Sequence, residues 1–305
     1  MSRVKRNRGK KRIFKVILLF ILLLIVGVGI YGFSLYNKAK STVNDRMHEQ
    51  IESIDTSLAK DKLKNKERLY ILLLGIDAEE GEKGRSDALI VLSLDPKTDA
   101  MKIVSIPRDT RTEIVGKGIE DKINHAYSFG SEDMAVATVE SFLNMELDYY
   151  VSMNMDGFQE LVDELGTITV NNDFAWGDES YQFPEGEVSM DGEKAMHYVR
   201  MRKQDPEGDF GRNKRQRQVI EGIINEGASV ASVTKVGTVV DVLGDNMRTN
   251  LDFEDMKALL ANYRDTRKRT GEYQVQGTGT SIDGIYYYVV DEAERQKVKQ
   301  LLEEN

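Results

Sequence analysis

The stretch from Val16 to Ile30 reads VILLFILLLIVGVGI, fifteen residues without a polar side chain. Ile13, Phe14 and the flank Tyr31-Gly32-Phe33-Ser34-Leu35-Tyr36 extend it to roughly 20 residues, enough for a helix to cross the ~30 Å core of a bilayer. At Asn37 the pattern changes. Residues 37–66 are polar and charged with no sustained apolar stripe, which predicts a partly helical spacer. From Arg68 onward apolar positions gather into runs of strand length. RLYILLLGID, SDALIVLSLD and AMKIVSIPRD predict three strands, the last two joined as a hairpin by Pro96-Lys97-Thr98-Asp99.

Helical spacing then predicts a helix from Ser131, as N-cap, to Asn144, followed by the strand LDYYVSMN. A helix over Phe158 to Leu165, stopped by Gly166, precedes a short strand TITV. Further helices are expected to start after Asp191 and carry Ala195 to Met201, then over 212–229, 233–243, 253–264 and 291–302, with YQVQG and GIYYYVV as late strands. Strands alternating with helices indicate one α/β domain over 67–305, with helices on both sheet faces. No internal repeat interrupts it.

Charge orients the apolar segment. The first fifteen residues hold eight basic side chains and no acid. The positive-inside rule therefore predicts a cytoplasmic tail (1–12), a transmembrane signal anchor (13–36), an extracellular spacer (37–66) and an extracellular domain. A cleaved signal peptide has the same order, but Tyr-Asn-Lys-Ala-Lys after the apolar run is a poor cleavage site. The rest of the chain keeps 34 of the 42 Lys+Arg and all 51 Asp+Glu, a net charge near −17. Such a domain lacks the basic footprint of a nucleic-acid binder. The absence of cysteine excludes disulfides and thiolate metal sites.

Against that acidic background four polar segments stand at strand ends, where ligands bind in open α/β sheets. Asp77 closes the first strand and Asp87 lies ten residues on, across a Gly/Glu-rich loop that also carries Arg85. Two carboxylates there suit a hard divalent ion held together with substrate phosphates, or each caps a turn. Pro107 turns the chain out of the sheet and sets Arg108 at its mouth, with Asp109 beside it. Between Tyr198 and Arg217 seven basic residues (Arg200, Arg202, Lys203, Arg212, Lys214, Arg215, Arg217) face three acids (Asp205, Glu207, Asp209). Arginine forks at a helix start bind phosphate, although a solvated charge-rich loop has the same composition. His48, His125 and His197 are scattered without metal-ligand spacing, and His125 reads as structural.

Taken in order, GID…GRSD, SIPRD, INHAY and YVRMR…DFGRNKRQ behind one signal anchor resemble the LytR-CpsA-Psr family, and more narrowly its teichoic acid transferases. The resemblance spans about Arg68 to Ile224. It implies a three-layer α/β/α sandwich with a central mixed sheet, preceded by one transmembrane helix, and a hydrophobic tunnel for a polyprenyl chain. It implies Mg²⁺ (or Mn²⁺) on Asp77 and Asp87, with a diphosphate held by Arg85, Arg108, Arg202 and Arg212 beside Arg200, Arg215 and Gln216. The implied reaction moves an anionic glycopolymer from a polyprenyl diphosphate carrier at the membrane to a peptidoglycan hydroxyl, that of C6 on N-acetylmuramic acid. Arg108, Arg202 and Arg212 would be catalytic, with Asp109 or Asp209 as base unless a metal-polarised hydroxyl needs none. Some relatives carry an arginine directly after the first aspartate; here it is Ala78, which leaves Arg85 as the only arginine of that loop. A lipid diphosphate hydrolase or carrier-binding module would use the same site. Some family members have been described as transcriptional attenuators, but the short cytoplasmic tail argues against direct DNA contact.

Overall fold

The computed structural model describes residues 31–77, 84–227 and 233–304. Most of the expected membrane anchor therefore lies outside the described residues, among which no helix is long and apolar enough to cross a membrane. Residues 31–42 are helical and end in a π-helical turn, Val43–Met47. There follow α1 (Thr56–Asn65), β1 (Leu69–Asp77), β2 (Arg85–Asp95), β3 (Ala100–Ser105), β4 (Arg111–Ile114), β5 (Ile119–Lys122) and α2 (His125–Leu143). Next come β6 (Tyr149–Asn154), α3 (Met155–Leu165), β7 (Ile168–Asn172), β8 (Trp176–Gly177), β9 (Gln182–Phe183), β10 (Gly186–Met190), α4 (Gly192–Arg200) and α5 (Asp209–Gly227). The chain closes with α6 (Val233–Asn246), β11 (Met247–Thr249), α7 (Phe253–Asn262), β12 (Arg269–Gln274), β13 (Thr278–Ile282), β14 (Ile285–Val289) and α8 (Glu292–Glu303).

Six strands form a mixed sheet in the order β11-β6-β1-β2-β3-β12. β1–β2 is antiparallel, and so is β2–β3, as the short turn at Pro96 requires, whereas β1–β6 and β3–β12 are parallel. Side chains alternate between faces with period two. Leu72, Leu74, Val91 and Val104 pack under α2 and α8 with Val136, Val139, Val298 and Leu302. Ile71, Ile90, Leu92 and Ile103 meet Ala59 and Leu63 of α1, together with Ile220 and Ile224 of α5. Helices thus cover both faces, and β2 is buried along nearly its whole length. A smaller cluster, including Val170, Trp176, Phe183, Val188 and Tyr198, joins the β7–β10 hairpin to α4.

Three expectations are corrected. Residues 37–66 are not a free spacer, since Val43, Met47, Ile54, Ala59 and Leu63 are buried against the domain. Their apolar residues are too widely spaced to read as a stripe. The helix expected from Ser131 to Asn144 is present, but α2 already starts at His125, its first part separated from that helix by a break at Gly130–Ser131, with Ser131 at φ 54°. The break lets Met134 pack where a Gly130 side chain would stand and buries Glu132, which accepts from Ser152 Oγ at 2.7 Å. TITV and GIYYYVV form separate hairpins, β7–β10 and β13–β14, outside the central sheet.

On α2, burial pushes the Glu140 carboxyl up to about 7, against the Leu147 amide it accepts from and with help from the charges of Glu146, Asp133 and Asp148. A carboxyl raised above its unfolded value of about 4.3 contributes stability below that value, which is lost as pH rises through its folded value. Glu140→Gln should therefore match the parent's melting temperature near pH 4 and exceed it near pH 8 by on the order of a few degrees. Equal melting temperatures at both pH values would refute this.

Candidate active site

The polar site is built where β1 ends and β2 begins. Asp77 pairs with Arg85, and both are exposed. The ladder matches Ile76 to Ser86 and Gly75 to Ala88, which leaves Asp87 as the extra residue of a β-bulge. A bulge re-aims the side chain it carries. Asp87 Oδ2 accepts from Arg108 Nη1 at 2.5 Å, and Asn124 Nδ2 lies 3.4 Å from Oδ1. Arg108 is presented by a turn, because Pro107 follows the last ladder bond (Ile106 N–H to Leu89 O, 2.9 Å) and its carbonyl accepts from Thr110. Asp109 is engaged by Lys122 at 2.7 Å and lies 3.8 Å from Arg108 Nε.

From the other side comes α5. Gly208, at φ 59°, makes the turn into it, and Asp209 in its first turn pairs with Arg212 at 2.9 Å. Arg212 is only 6% exposed. Burial lowers its pKa, opposed by the Asp209 charge, while the nearby charges of Arg108 and Arg202 add to the lowering. Its guanidinium stays protonated regardless. Arg108 thus lies against Asp87, and Arg212 feels the charges of Arg108, Asp87 and the exposed Arg202, which makes the three arginines one electrostatic neighbourhood. Four atoms around them are buried without a hydrogen-bond partner: Arg108 Nε, Arg212 Nε, Asn213 Nδ2 and Asn124 Oδ1. Three of these are donors, the complement an anion would satisfy.

The remaining arginines of the segment do other work. Arg215 donates to the carbonyls of Tyr198 and Met201 and to Asp205, so all three of its nitrogens are spent fastening the loop after α4. Gly211 makes room for that aspartate, since a Cβ there would collide with its carboxylate. Arg217 bonds Glu272 at 2.9 Å and Ser105 Oγ at 3.0 Å, tying α5 to the sheet. Arg200 is exposed and lines a different cavity, which it shares with Arg202.

Beneath the cluster, between the sheet and helices α3 and α5, lies an apolar cavity of about 270 Å³. Leu73, Ile90, Val151, Phe158, Ile220 and Ile224 are among its walls. Ala88, next to Asp87, and Gln216, one helical turn after Arg212, line it too, so it adjoins the arginine cluster. Small side chains keep this end open: a Cβ on Gly75 would stand 3.0 Å from that of Ala88. Lys122 carries no motif of its own, and Asn124 and Asn213 were marked only by lying within INHAY and DFGRNKRQ.

Asp77 and Asp87 offer oxygen donors from adjacent strand ends, which fits a hard divalent cation. Among the described residues no group of three or more His, Asp or Glu could hold a metal. A cation at this pair would therefore complete its shell with substrate oxygens.

The LytR_cpsA_psr family profile matches residues 30–304. The chain belongs to this family. Within the LytR-CpsA-Psr family it is 46% identical over 306 residues to the polyisoprenyl-teichoic acid–peptidoglycan teichoic acid transferase TagU of Bacillus subtilis, covering 99% of both chains. A structure of TagT bound to LI-WTA superposes with a TM-score of 0.70 at 30% identity, covering 84% of this chain and 98% of that one. A crystal structure from Enterococcus faecalis, named a transcriptional regulator, superposes with a TM-score of 0.71 at 35% identity, covering 79% and 88%.

The two kinds of buried arginine are separable by experiment. Removing one partner of a buried, fully bonded pair costs about 3–5 kcal/mol. Arg215→Met should lower unfolding free energy by that order in a denaturant titration, whereas Arg212→Met should cost far less, since its Nε is already unpaired. Equal losses would contradict the division of roles.

Proposed function

We propose that this chain is a membrane-anchored extracellular transferase. It moves an anionic glycopolymer, wall teichoic acid, from a polyprenyl diphosphate carrier to a hydroxyl of peptidoglycan and releases polyprenyl phosphate. The observation that carries this reading is the contact between two opposite environments: an arginine cluster centred on the buried Arg212, with unpaired donors on Arg108 and Arg212, and an apolar cavity directly beside it. A lipid diphosphate has that same division. Teichoic acid transfer by TagU and the bound state of TagT support the choice of polymer. The basic tail and apolar segment support an exported domain kept near a lipid that cannot leave the bilayer.

In this mechanism Arg108, Arg202 and Arg212 hold the diphosphate oxygens and neutralise the charge that builds as the bond to the leaving phosphate breaks. Arg85 stands at the same strand end, and Gln216 marks the border between head group and lipid. The acceptor hydroxyl oxygen bonds to the polymer-side phosphorus, the bond between that phosphorus and the bridging oxygen breaks, and the lipid departs as its monophosphate carrying the bridging oxygen. The hydroxyl proton leaves to Asp109, to Asp209 or to the departing phosphate. Mg²⁺ (or Mn²⁺) on Asp77 and Asp87 would supply further charge neutralisation.

Full-length protein given a lipid diphosphate-linked glycan, Mg²⁺ and peptidoglycan should attach the glycan through a phosphodiester. Arg108→Ala and Arg212→Ala should each lower kcat/KM by about 10²–10³. Free glycan phosphate with nothing attached to peptidoglycan would instead make the protein a hydrolase. Undiminished turnover by both variants would sink the site.

A further inference from the structure

A second cavity, about 330 Å³, opens between the β8–β9 hairpin and the loop after α4. It falls within the size range of small-molecule sites, about 300–1,000 Å³. Trp176, Asp178, His197, Arg200, Arg202 and Lys203 line it. Its walls are already fixed. Trp176 stacks on Phe183 and Tyr198, with ring centroids 4.0 Å and 5.9 Å away. Asp178 Oδ1 accepts from the Ser180 and Tyr181 amides at 2.8 Å each. The Tyr181 amide, His197 and the Ser180 amide together hold the Asp178 carboxyl below its usual value. As a carboxylate it only accepts, so His197 Nδ1, 2.6 Å from Oδ2, carries a proton and Nε2 is the ring's other polar atom.

Charge and bonding capacity here both call for a ligand. Arg200, Arg202 and Lys203 have no ion-pair partner among the described residues, and the single carboxylate of the wall is engaged by His197. This cationic wall belongs to a domain with a large excess of acid. Trp176 is 7% exposed, and its indole Nε1–H is buried without an acceptor. Buried donors are almost always paired, so an unpaired one in a cavity wall marks a place for an incoming oxygen. The phosphate cluster is adjacent: Arg202 lines this cavity and is also felt by Arg212.

We propose that this cavity is a subsite for an anionic sugar unit. Sugar oxygens meet Trp176 Nε1 and His197, and the phosphate or carboxylate of the unit lies among Arg200, Arg202 and Lys203. That unit is either a phosphate-bearing sugar of the transferred polymer or a carboxylate-bearing sugar of the acceptor glycan. Its being a substrate rests on the transferase reading; the recognition chemistry of the cavity does not.

Trp176 is the only tryptophan of the chain, so intrinsic fluorescence reports this cavity alone. Full-length protein in detergent would be titrated with N-acetylglucosamine 1-phosphate, N-acetylmuramic acid, uncharged N-acetylglucosamine and inorganic phosphate. A saturable change with one of the two anionic sugars, at least tenfold tighter than with the neutral sugar or phosphate, is expected. Its Kd should rise at least tenfold in Arg200→Ala/Lys203→Ala protein with an unchanged circular dichroism spectrum. Preference for the phosphosugar identifies the donor chain, and preference for the muramic acid identifies the acceptor. Absence of saturation, equal response to the neutral sugar or to phosphate, or an unchanged Kd in the double variant would overturn the proposal. Because no turnover is involved, a protein that binds but transfers nothing would refute the transferase reading and leave the subsite standing.

Discussion

Helix α5 buries three guanidinium groups, those of Arg212, Arg215 and Arg217, and the rest of the site follows from how each is compensated. A cation taken out of water is tolerated only where acceptors replace its solvation. Arg217 finds them on the sheet side, in Glu272 and Ser105, which sets the height of the helix over β3. Arg215 finds them in the loop after α4 and in Asp205, which sets the position of Arg202. Arg212 is the one left incomplete, bonded to Asp209 with its Nε unpaired and facing the field of Arg108. Two fully bonded arginines therefore hold a third, incompletely bonded one in place, and catalysis by charge neutralisation needs donors fixed before the charge appears.

The bulge at Asp87 performs the matching service from the sheet. An unbroken ladder would send alternate side chains of β2 to opposite faces, with no residue left over at the strand end. The extra residue places a carboxylate against Arg108 while Ala88, next along, still lines the apolar cavity. Charged and lipid-like environments are therefore one residue apart on the same strand. The separation is repeated on α5, where Arg212 belongs to the cluster and Gln216, four residues on, belongs to the cavity.

Much of this was legible in the sequence, and the limits have physical causes. Strands β1 to β3 were readable because each is a compact apolar run ended by Gly, Pro or Asp, and those ends named Asp77, Asp87 and Arg108. The arginine-rich segment was readable as a group. Its division was not, because Arg212 and Arg215 differ only in which side of α5 they leave from and what the α4 loop offers there. Residues 37–66 looked like a spacer because their core contacts, Val43, Met47, Ala59 and Leu63, are single apolar positions set among charges. The start of α2 was hidden for the opposite reason: its first turn is polar, and a backbone break separates it from the apolar remainder.

The distribution of charge ties the two cavities together. A domain with a large excess of carboxylates repels an anionic polymer at long range, and screening reduces that repulsion beyond about 8 Å at physiological ionic strength. Inside that distance the local cations decide. Arg108 and Arg212 form one pole, Arg200 and Lys203 the other, and Arg202 neighbours both. A single phosphate would be served by the first pole alone. A row of cations leading away from it suits a chain that carries negative charge at intervals, entering lipid end first with its sugars lying along the loop after α4. For such a polymer the acidic remainder would leave that row as the favourable path, so the charge balance of the domain would give the bound chain its direction.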